Sequence, residues 1–248
     1  MVYEYDGIGI NYTDCGIGDA VIFLHGWGAD IKSFEFCLPH LENYRVVRID
    51  LPGHGESSEP KKPYSVKDFS LCVISLLEHI GVSLPTLVGH SNGGRIIIDM
   101  LANRGYKAKR AVLIDSAGII PKRDISYRFK VRKYKIMKKL VLLFKGEDGL
   151  EKYKKKHGST DYKNASGVMR DTMVKLVNTD LEKDLPKIAV PTLLIWGTND
   201  TATPLSDGKK MEKAIKDCGL VELEGGSHWA FVEQPAKFIS VLLSFLNS

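Results

Sequence analysis

Short apolar runs alternate along this chain with longer segments whose apolar positions recur at helical spacing. The runs are rich in Val, Ile and Leu, and they predict buried strands at 20–24, 45–49, 84–88, 111–114, 190–196 and 220–223. Amphipathic segments between most of them, such as 66–80 and 206–217, predict helices. This alternation predicts an α/β fold in which helices cover both faces of a mostly parallel sheet.

The first 13 residues predict two further, shorter strands that pair antiparallel at one edge of the same sheet. Together with the six apolar runs they predict a sheet of about eight strands. No internal repeat of fixed period and no low-complexity linker interrupts the pattern.

The alternation breaks once, between residues 119 and 187, where helical stripes continue without a convincing buried strand. We therefore predict a core in two parts, 1–118 and 188–248, separated by a helical insertion at 119–187. Strands end at both borders of the insertion, so it should rise from the carboxyl edge of the sheet, where ligands bind in open α/β folds. A cap or lid over a site and an insertion without such a role both fit this placement.

Composition places few limits beyond the class of protein. The chain has 248 residues, of which 44% are hydrophobic and 26% charged, as in an ordinary globular protein. The start is acidic and lacks an apolar core, so no signal peptide is expected, and the late apolar run 238–246 is too short to span a bilayer. Four scattered cysteines without CxxC spacing fit reduced thiols in a cytoplasmic protein better than disulfides or a zinc site.

Positive charge is concentrated in one segment. Residues 121–160 contain 14 Lys or Arg and four acidic residues, a balance of +10, so the rest of the chain carries −5 of the total of +5. A solvated helical face is one interpretation. Recognition of an acidic carrier, such as an acyl carrier protein or a coenzyme A thioester, is the other. Nucleic acid is a weaker candidate because no recognition motif accompanies the lysines.

The candidate chemistry begins at residues 89–93, Gly-His-Ser-Asn-Gly, between a predicted strand and a predicted helix. A serine at such a corner needs nearly side-chain-free neighbours two positions before and after it, and both are glycine here. The first amides of the helix, beginning with Asn92, would point at the site and could receive a developing negative charge. The motif predicts that Ser91 is a nucleophile, with an inert connecting turn as the alternative.

A serine nucleophile needs a base and a group that orients the base. His228 lies in a glycine-containing loop after the last predicted strand, and Asp200 lies just beyond the strand at 190–196. Asp115 also follows a strand and stays open as an alternative acid. Three other histidines lie beside glycines in tight loops and are expected to stabilise turns: His25, His54 and His90. No metal-binding spacing such as HExxH occurs.

The chain order Ser91, Asp200, His228 resembles that of the α/β-hydrolase fold superfamily. Residues 25–28, His-Gly-Trp-Gly, resemble the oxyanion loop of that family, and 50–55 resembles a strand-end turn frequent in it. The resemblance implies a catalytic triad and an oxyanion hole formed by the amides of Trp27 and Asn92. It also implies hydrolysis of a carboxylic ester or related small acyl substrate through an acyl-enzyme, without a cofactor.

Several relatives of this fold remain as alternatives. Because Ser91 stands where haloalkane dehalogenases and epoxide hydrolases use an aspartate, alkyl-enzyme chemistry is not expected. Carbon-carbon bond hydrolases, cofactor-free perhydrolases, thioesterases and lyases share the serine arrangement and stay open, as does a non-catalytic ligand-binding protein of the same fold.

Arg95 lies one helical turn after the candidate nucleophile and could share its face of the helix. A structural ion pair is one interpretation. The other is a clamp for a substrate carboxylate, because a guanidinium presents a fixed fork of donors. The position resembles that of an arginine in the menaquinone-pathway synthase of the α/β-hydrolase fold.

Overall fold

The computed structural model describes residues 1–120, 125–156, 165 and 167–248. An eight-stranded sheet with the order β1-β2-β4-β3-β5-β6-β7-β8 forms its centre. The first two strands pair antiparallel with their neighbours and all the others are parallel. The strands are β1 Val2–Tyr5, β2 Ile8–Cys15, β3 Ala20–Leu24, β4 Arg45–Ile49, β5 Thr86–His90, β6 Arg110–Ile114, β7 Thr192–Gly197 and β8 Cys218–Leu223. This confirms the predicted mostly parallel α/β sheet, including the antiparallel edge.

Helices occupy the connections between the strands. The α-helices are α1 Val66–His79, α2 Asn92–Asn103, α3 Ile125–Lys156, α4 Gly167–Val177, α5 Leu205–Ala214, α6 Ala230–Glu233 and α7 Pro235–Leu246. Two 3-10 helices span Ile31–His40 and Glu182–Lys187. A capping box fixes the start of α1, where the Ser65 hydroxyl and the Asp68 carboxylate each bond the other's backbone amide.

The sheet separates two hydrophobic cores because successive side chains of a strand point to opposite faces. On β3, Val21 and Phe23 belong to one core and Ile22 and Leu24 to the other. The first core includes side chains of the 3-10 helix Ile31–His40 and of α7, and the second includes side chains of α1, α2 and α5. The sheet is therefore covered on both faces, which fixes its strand ends as a rigid edge.

Strand borders differ from the predicted ones by a few residues, and prolines account for two of the differences. Leu84 has φ 47 and precedes Pro85, so β5 begins at Thr86. Pro191 has no N–H for the sheet ladder, and β7 begins directly after it. At its other end, β5 extends to His90, directly before Ser91.

The described part of the segment 119–187 contains helices and no strand. Its longest helix, α3, turns sharply at Gly146, where φ is 62. Residues 121–124, 157–164 and 166 of the predicted insertion and basic segment lie outside the described residues. The three-part division of the chain and the role of 119–187 as a cap stay predictions. Across the described ranges, no helix is both long and apolar enough to cross a membrane.

Candidate active site

Ser91 is the single residue between the end of β5 and the start of α2. Its backbone has φ 50 and ψ −108, a conformation that is costly for a residue with a side chain. Three hydrogen bonds hold it there: its amide donates to Ile114, and its carbonyl accepts from Arg95 and Ala117 at 3.1 and 3.0 Å. The surrounding structure thus fixes the strained turn and presents the serine at the strand end.

The two glycines of the motif are required by close backbone approach. A Cβ on Gly93 would lie 2.1 Å from the carbonyl oxygen of Leu24, and one on Gly89 would lie 2.6 Å from the carbonyl carbon of Gly93. Because these neighbours are backbone atoms, they cannot rotate away. The spacing that the sequence predicted for a tight strand-to-helix turn therefore has a steric cause.

Ser91, His228 and Asp200 lie in hydrogen-bond contact. The Nε2 of His228 is 3.0 Å from the Oγ of Ser91, and its Nδ1 is 2.8 Å from the Oδ2 of Asp200. Ser91 follows β5, Asp200 follows β7, and His228 follows β8, so three parallel strands deliver the three side chains to one edge. This is the nucleophile, base and orienting-acid geometry that serine catalysis requires.

The surroundings of Asp200 favour its charged form. Its Oδ1 accepts hydrogen bonds from the amides of Ala202 and Thr203, and its Oδ2 accepts from the Thr203 hydroxyl at 2.6 Å. Burial acts to raise the pKa of Asp200, but the hydrogen bonds from His228 and Thr203 outweigh it and hold that pKa below its usual value. Asp200 is therefore an anion at neutral pH and can stabilise a protonated His228.

His90 supports the loop that carries His228. Its Nε2–H donates to the backbone carbonyl of His228 at 2.8 Å. Burial is the main cause that lowers the pKa of His90 to about 3, so its ring is neutral. His25 likewise donates from Nδ1 to the Gly26 carbonyl and accepts from the Leu51 amide at Nε2. These contacts confirm the prediction that both histidines stabilise turns.

The model of the alpha/beta hydrolase family matches residues 21–241, nearly the whole chain. The chain belongs to the alpha/beta hydrolase family. YisY of Bacillus subtilis (strain 168), an AB hydrolase superfamily protein, is 28% identical over 253 residues that cover 95% of this chain and 94% of YisY. Pyrrolizixenacetamide deacetylase of Xenorhabdus hominickii is 28% identical over 258 residues, 96% of this chain and 95% of the deacetylase.

Among solved structures, a bromoperoxidase from Bacillus anthracis aligns with a TM-score of 0.78 at 26% identity, covering 97% of this chain and 96% of its own. The family and these neighbours support hydrolase activity for the chain. They do not distinguish among its substrates, because one fold of this kind carries many chemistries.

The loop of residues 25–28 packs against the nucleophile turn of this alpha/beta hydrolase. A Cβ on Gly26 would lie 3.3 Å from the Cβ of Ser91 and 2.8 Å from the Nδ1 of His90. The ring of Trp27 packs edge-on against His54, with ring centroids 4.8 Å apart. Glycine at position 26 thus brings the backbone beside Trp27 close to the serine.

Arg95 is buried on α2 without an acidic partner. It is 9% exposed, and within the described chain no carboxylate forms an ion pair with it. Its Nη1 donates to the Oδ1 of Asn92 at 3.2 Å, while its Nε and the Nδ2 of Asn92 have no hydrogen-bond partner among the described residues. Burial lowers the pKa of Arg95 to about 10, which leaves the side chain charged at neutral pH. The ion pair considered from the sequence is absent among these residues.

Asp115 lies beside Asp200 but does not orient the base. Its carboxylate accepts from the Gly197 amide, and its backbone carbonyl oxygen lies 2.9 Å from the hydroxyl oxygen of Thr203. His228 instead contacts Asp200 at 2.8 Å. The geometry therefore favours Asp200 over Asp115 as the acid of the arrangement.

Two features of the site escaped the sequence analysis: the contacts of Thr203 with Asp200 and the position of Asp115 beside it. Thr203 follows Asp200 by three residues, a spacing at which side chains commonly bond to nearby backbone in turns. That spacing was the available signal for Thr203. No local pattern connects Asp115 with Asp200, because the two meet only through the pairing of β6 with β7. No group of three His, Cys, Asp or Glu in the described residues could hold a metal ion.

Proposed function

We propose that the chain is a serine hydrolase that cleaves a carboxylic ester or a related acyl substrate through an acyl-enzyme. The observation that carries this proposal is the continuous contact from Ser91 through His228 to Asp200, with distances of 3.0 and 2.8 Å. The deacetylase relative, which is similar over nearly its whole length, supports acyl chemistry.

In the proposed reaction the Ser91 oxygen attacks the substrate carbonyl while His228 Nε2 takes the serine proton. Asp200 holds the Nδ1–H of His228 and stabilises the imidazolium that forms. His228 then gives its proton to the leaving group, which departs and leaves an ester on Ser91. Water attacks that ester, with His228 again as base, and releases the acid and the free serine.

The amides of Trp27 and Asn92 are the proposed oxyanion hole. The Asn92 amide is in the first turn of α2, where helical amides have no acceptor within the helix. The close approach of Gly26 to Ser91 supports a role for the neighbouring Trp27 amide at the same turn. Donors fixed in advance at a developing oxyanion are among the largest contributions to catalysis.

A fluorophosphonate probe tests this function directly. We expect wild-type protein to be labelled at Ser91 and to lose the label in Ser91→Ala, while Ser33→Ala, a serine on the 3-10 helix Ile31–His40, keeps it. Peptide mass spectrometry identifies the modified residue. Folded wild-type protein that resists labelling at Ser91 would contradict the proposal and favour a non-catalytic ligand-binding role.

The buried charge of Arg95 supports a more specific substrate class, an acyl compound that carries a carboxylate. Among the described residues the Arg95 guanidinium has no acidic partner and its Nε has no acceptor, which is costly for a buried charge, and a bound carboxylate would supply both. A panel of esters and thioesters that varies acyl length and charge tests this class. It also separates ester hydrolysis from the thioesterase alternative.

The basic segment retains its proposed role in recognising an acidic carrier such as an acyl carrier protein or coenzyme A. Lys133, Lys139 and Lys145 of α3 are exposed and so are available to an anionic partner. Charges in such positions mainly increase the rate of encounter.

A further inference from the structure

Asp115 carries a buried carboxyl group that the proposed proton transfers do not use. It follows β6 directly, is fully buried, and has φ 41, a conformation that aspartate adopts only occasionally. Its Oδ1 accepts a hydrogen bond from the Gly197 amide at 2.8 Å. Its Oδ2 is buried and has no donor among the described residues. An ionised carboxylate would leave that oxygen charged and unsatisfied.

The neighbour of this carboxyl group is the acid that contacts His228. The hydroxyl of Thr203 lies 2.9 Å from the carbonyl oxygen of Asp115 and 2.6 Å from the Oδ2 of Asp200, so the two aspartates share one neighbour. A side-chain hydrogen bond with Asp200 is also among the causes that raise the pKa of Asp115. Two ionised carboxylates placed side by side repel each other strongly, so one of them holds a proton.

The hydrogen-bond environment decides which aspartate holds it. Asp200 accepts from two amides, one hydroxyl and one imidazole, all of which favour the anion. Asp115 accepts from the Gly197 amide alone at its carboxyl group. The shared proton therefore belongs on Asp115, on the oxygen that otherwise has no partner.

The charged groups around Asp115 act in the same direction. Burial is the largest cause that raises the pKa of Asp115 to about 8, and the negative charges of Asp200 and Glu233 raise it further, against the Gly197 amide.

We propose that Asp115 is a neutral carboxylic acid that donates its Oδ2–H to the Asp200 carboxylate and so acts as a positioning residue for Asp200. The role rests on the proposed hydrolase function of the Ser91 site. The proton stays on Asp115 throughout the reaction, and its hydrogen bond keeps the Asp200 carboxylate oriented toward His228. Loss of that proton would remove one donor from Asp200 and place a second negative charge beside it.

Asp115→Asn separates this role from a structural one. The amide can accept from Gly197 and donate to Asp200, but it cannot ionise. We expect kcat/KM at pH 7 to stay within about threefold of wild type, while Asp115→Ala loses about tenfold or more in kcat with little change in KM. Wild-type activity should also fall as Asp115 ionises near pH 8, and this loss should disappear in Asp115→Asn.

Asp14→Asn is the matched control. The Asp14 carboxylate on β2 pairs with Arg45 on β4, several strands away from β6 and β7, so this substitution should leave the pH profile unchanged. An alkaline loss that persists unaltered in Asp115→Asn would overturn the proposal. So would an Asp115→Asn variant that folds but is as impaired as Asp115→Ala.

Infrared spectroscopy tests whether the Asp115 carboxyl group is protonated. It needs neither an activity measurement nor a variant that must fold. Wild-type protein at pH 7 should show the carbonyl stretch of a buried protonated carboxyl group, shifted in deuterium oxide and lost on titration to about pH 10. Absence of that band at pH 7 would overturn the proposal on Asp115. Failure of the hydrolase function would appear separately, as absent fluorophosphonate labelling with the infrared band present.

Discussion

The carboxyl edge of the sheet and helix α3 differ in what surrounds their side chains. Polar side chains at the edge are held by hydrogen bonds, whereas α3 has apolar side chains exposed to solvent. At the edge, Asp200 is fully occupied by hydrogen bonds and His228 touches both of its partners. On α3, apolar side chains such as Phe129, Leu143 and Phe144 are 66–77% exposed among lysines. The first region fixes one geometry, and the second is left available for contacts from outside. We propose that the edge carries out bond cleavage and that α3 contributes to the choice of partner, and variants in each region test this division.

The largest effect is expected at the edge itself. His228→Ala removes the proposed general base and should lower kcat by about 10,000-fold or more, because loss of one member of a triad removes most of the catalysis. Steady-state hydrolysis of an activated ester measures the change. His79→Ala, which removes a histidine at the end of α1, is the control and should retain activity.

Circular dichroism distinguishes a catalytic loss from unfolding in these variants. His228 is partly exposed, so its removal should leave the thermal transition nearly unchanged. A folded His228→Ala with near-normal turnover would show that the edge does not perform the chemistry assigned to it.

A smaller effect is expected from substitution of Arg95, which lies on α2 one helical turn after Ser91. Arg95→Met should raise KM for a carboxylate-bearing ester about 10- to 100-fold and leave a neutral ester of the same length little changed, because a charge-assisted pair is lost only with the first substrate. The same variant should unfold at a higher temperature, since it removes a buried charge that has no acidic partner among the described residues.

Paired measurements of both esters provide the internal control for Arg95. Equal losses with the charged and the neutral ester, together with a lower unfolding temperature, would make Arg95 a structural residue of α2. That result would contradict the proposed class of carboxylate-bearing substrates but would not contradict the proposed serine chemistry.

Sequence periodicity predicted the sheet well because its signals are local. Each strand of the core is a short apolar run, and the turn at Ser91 needs glycine at 89 and 93 for steric reasons that any such corner imposes. The positions of Asp200 and His228 could be predicted because both follow strands of one parallel sheet, whose carboxyl ends meet at one edge.

The sequence analysis could not predict which side chains from different strands contact one another. Whether Asp115 or Asp200 faces His228 depends on side-chain directions after β6 and β7, and the periodicity of the strands does not encode them. The burial of Arg95 without an ion pair was equally open, because helical spacing gives a side chain's face and not its partners. The covering role of 119–187 stays a prediction for the same reason.

The smallest effect is expected on α3, from reversal of three exposed charges. Lys133→Glu, Lys139→Glu and Lys145→Glu combined should lower kcat/KM for a carrier-bound or coenzyme A thioester a few-fold at low salt, and the difference should vanish at high salt as the charges are screened. A small neutral ester should be hydrolysed at the wild-type rate. Reversal of Lys107, Lys213 and Lys216 on the core changes the net charge equally and is the matched control. Equal behaviour of the two triple variants would assign the effect to total charge and leave α3 without a role in partner choice.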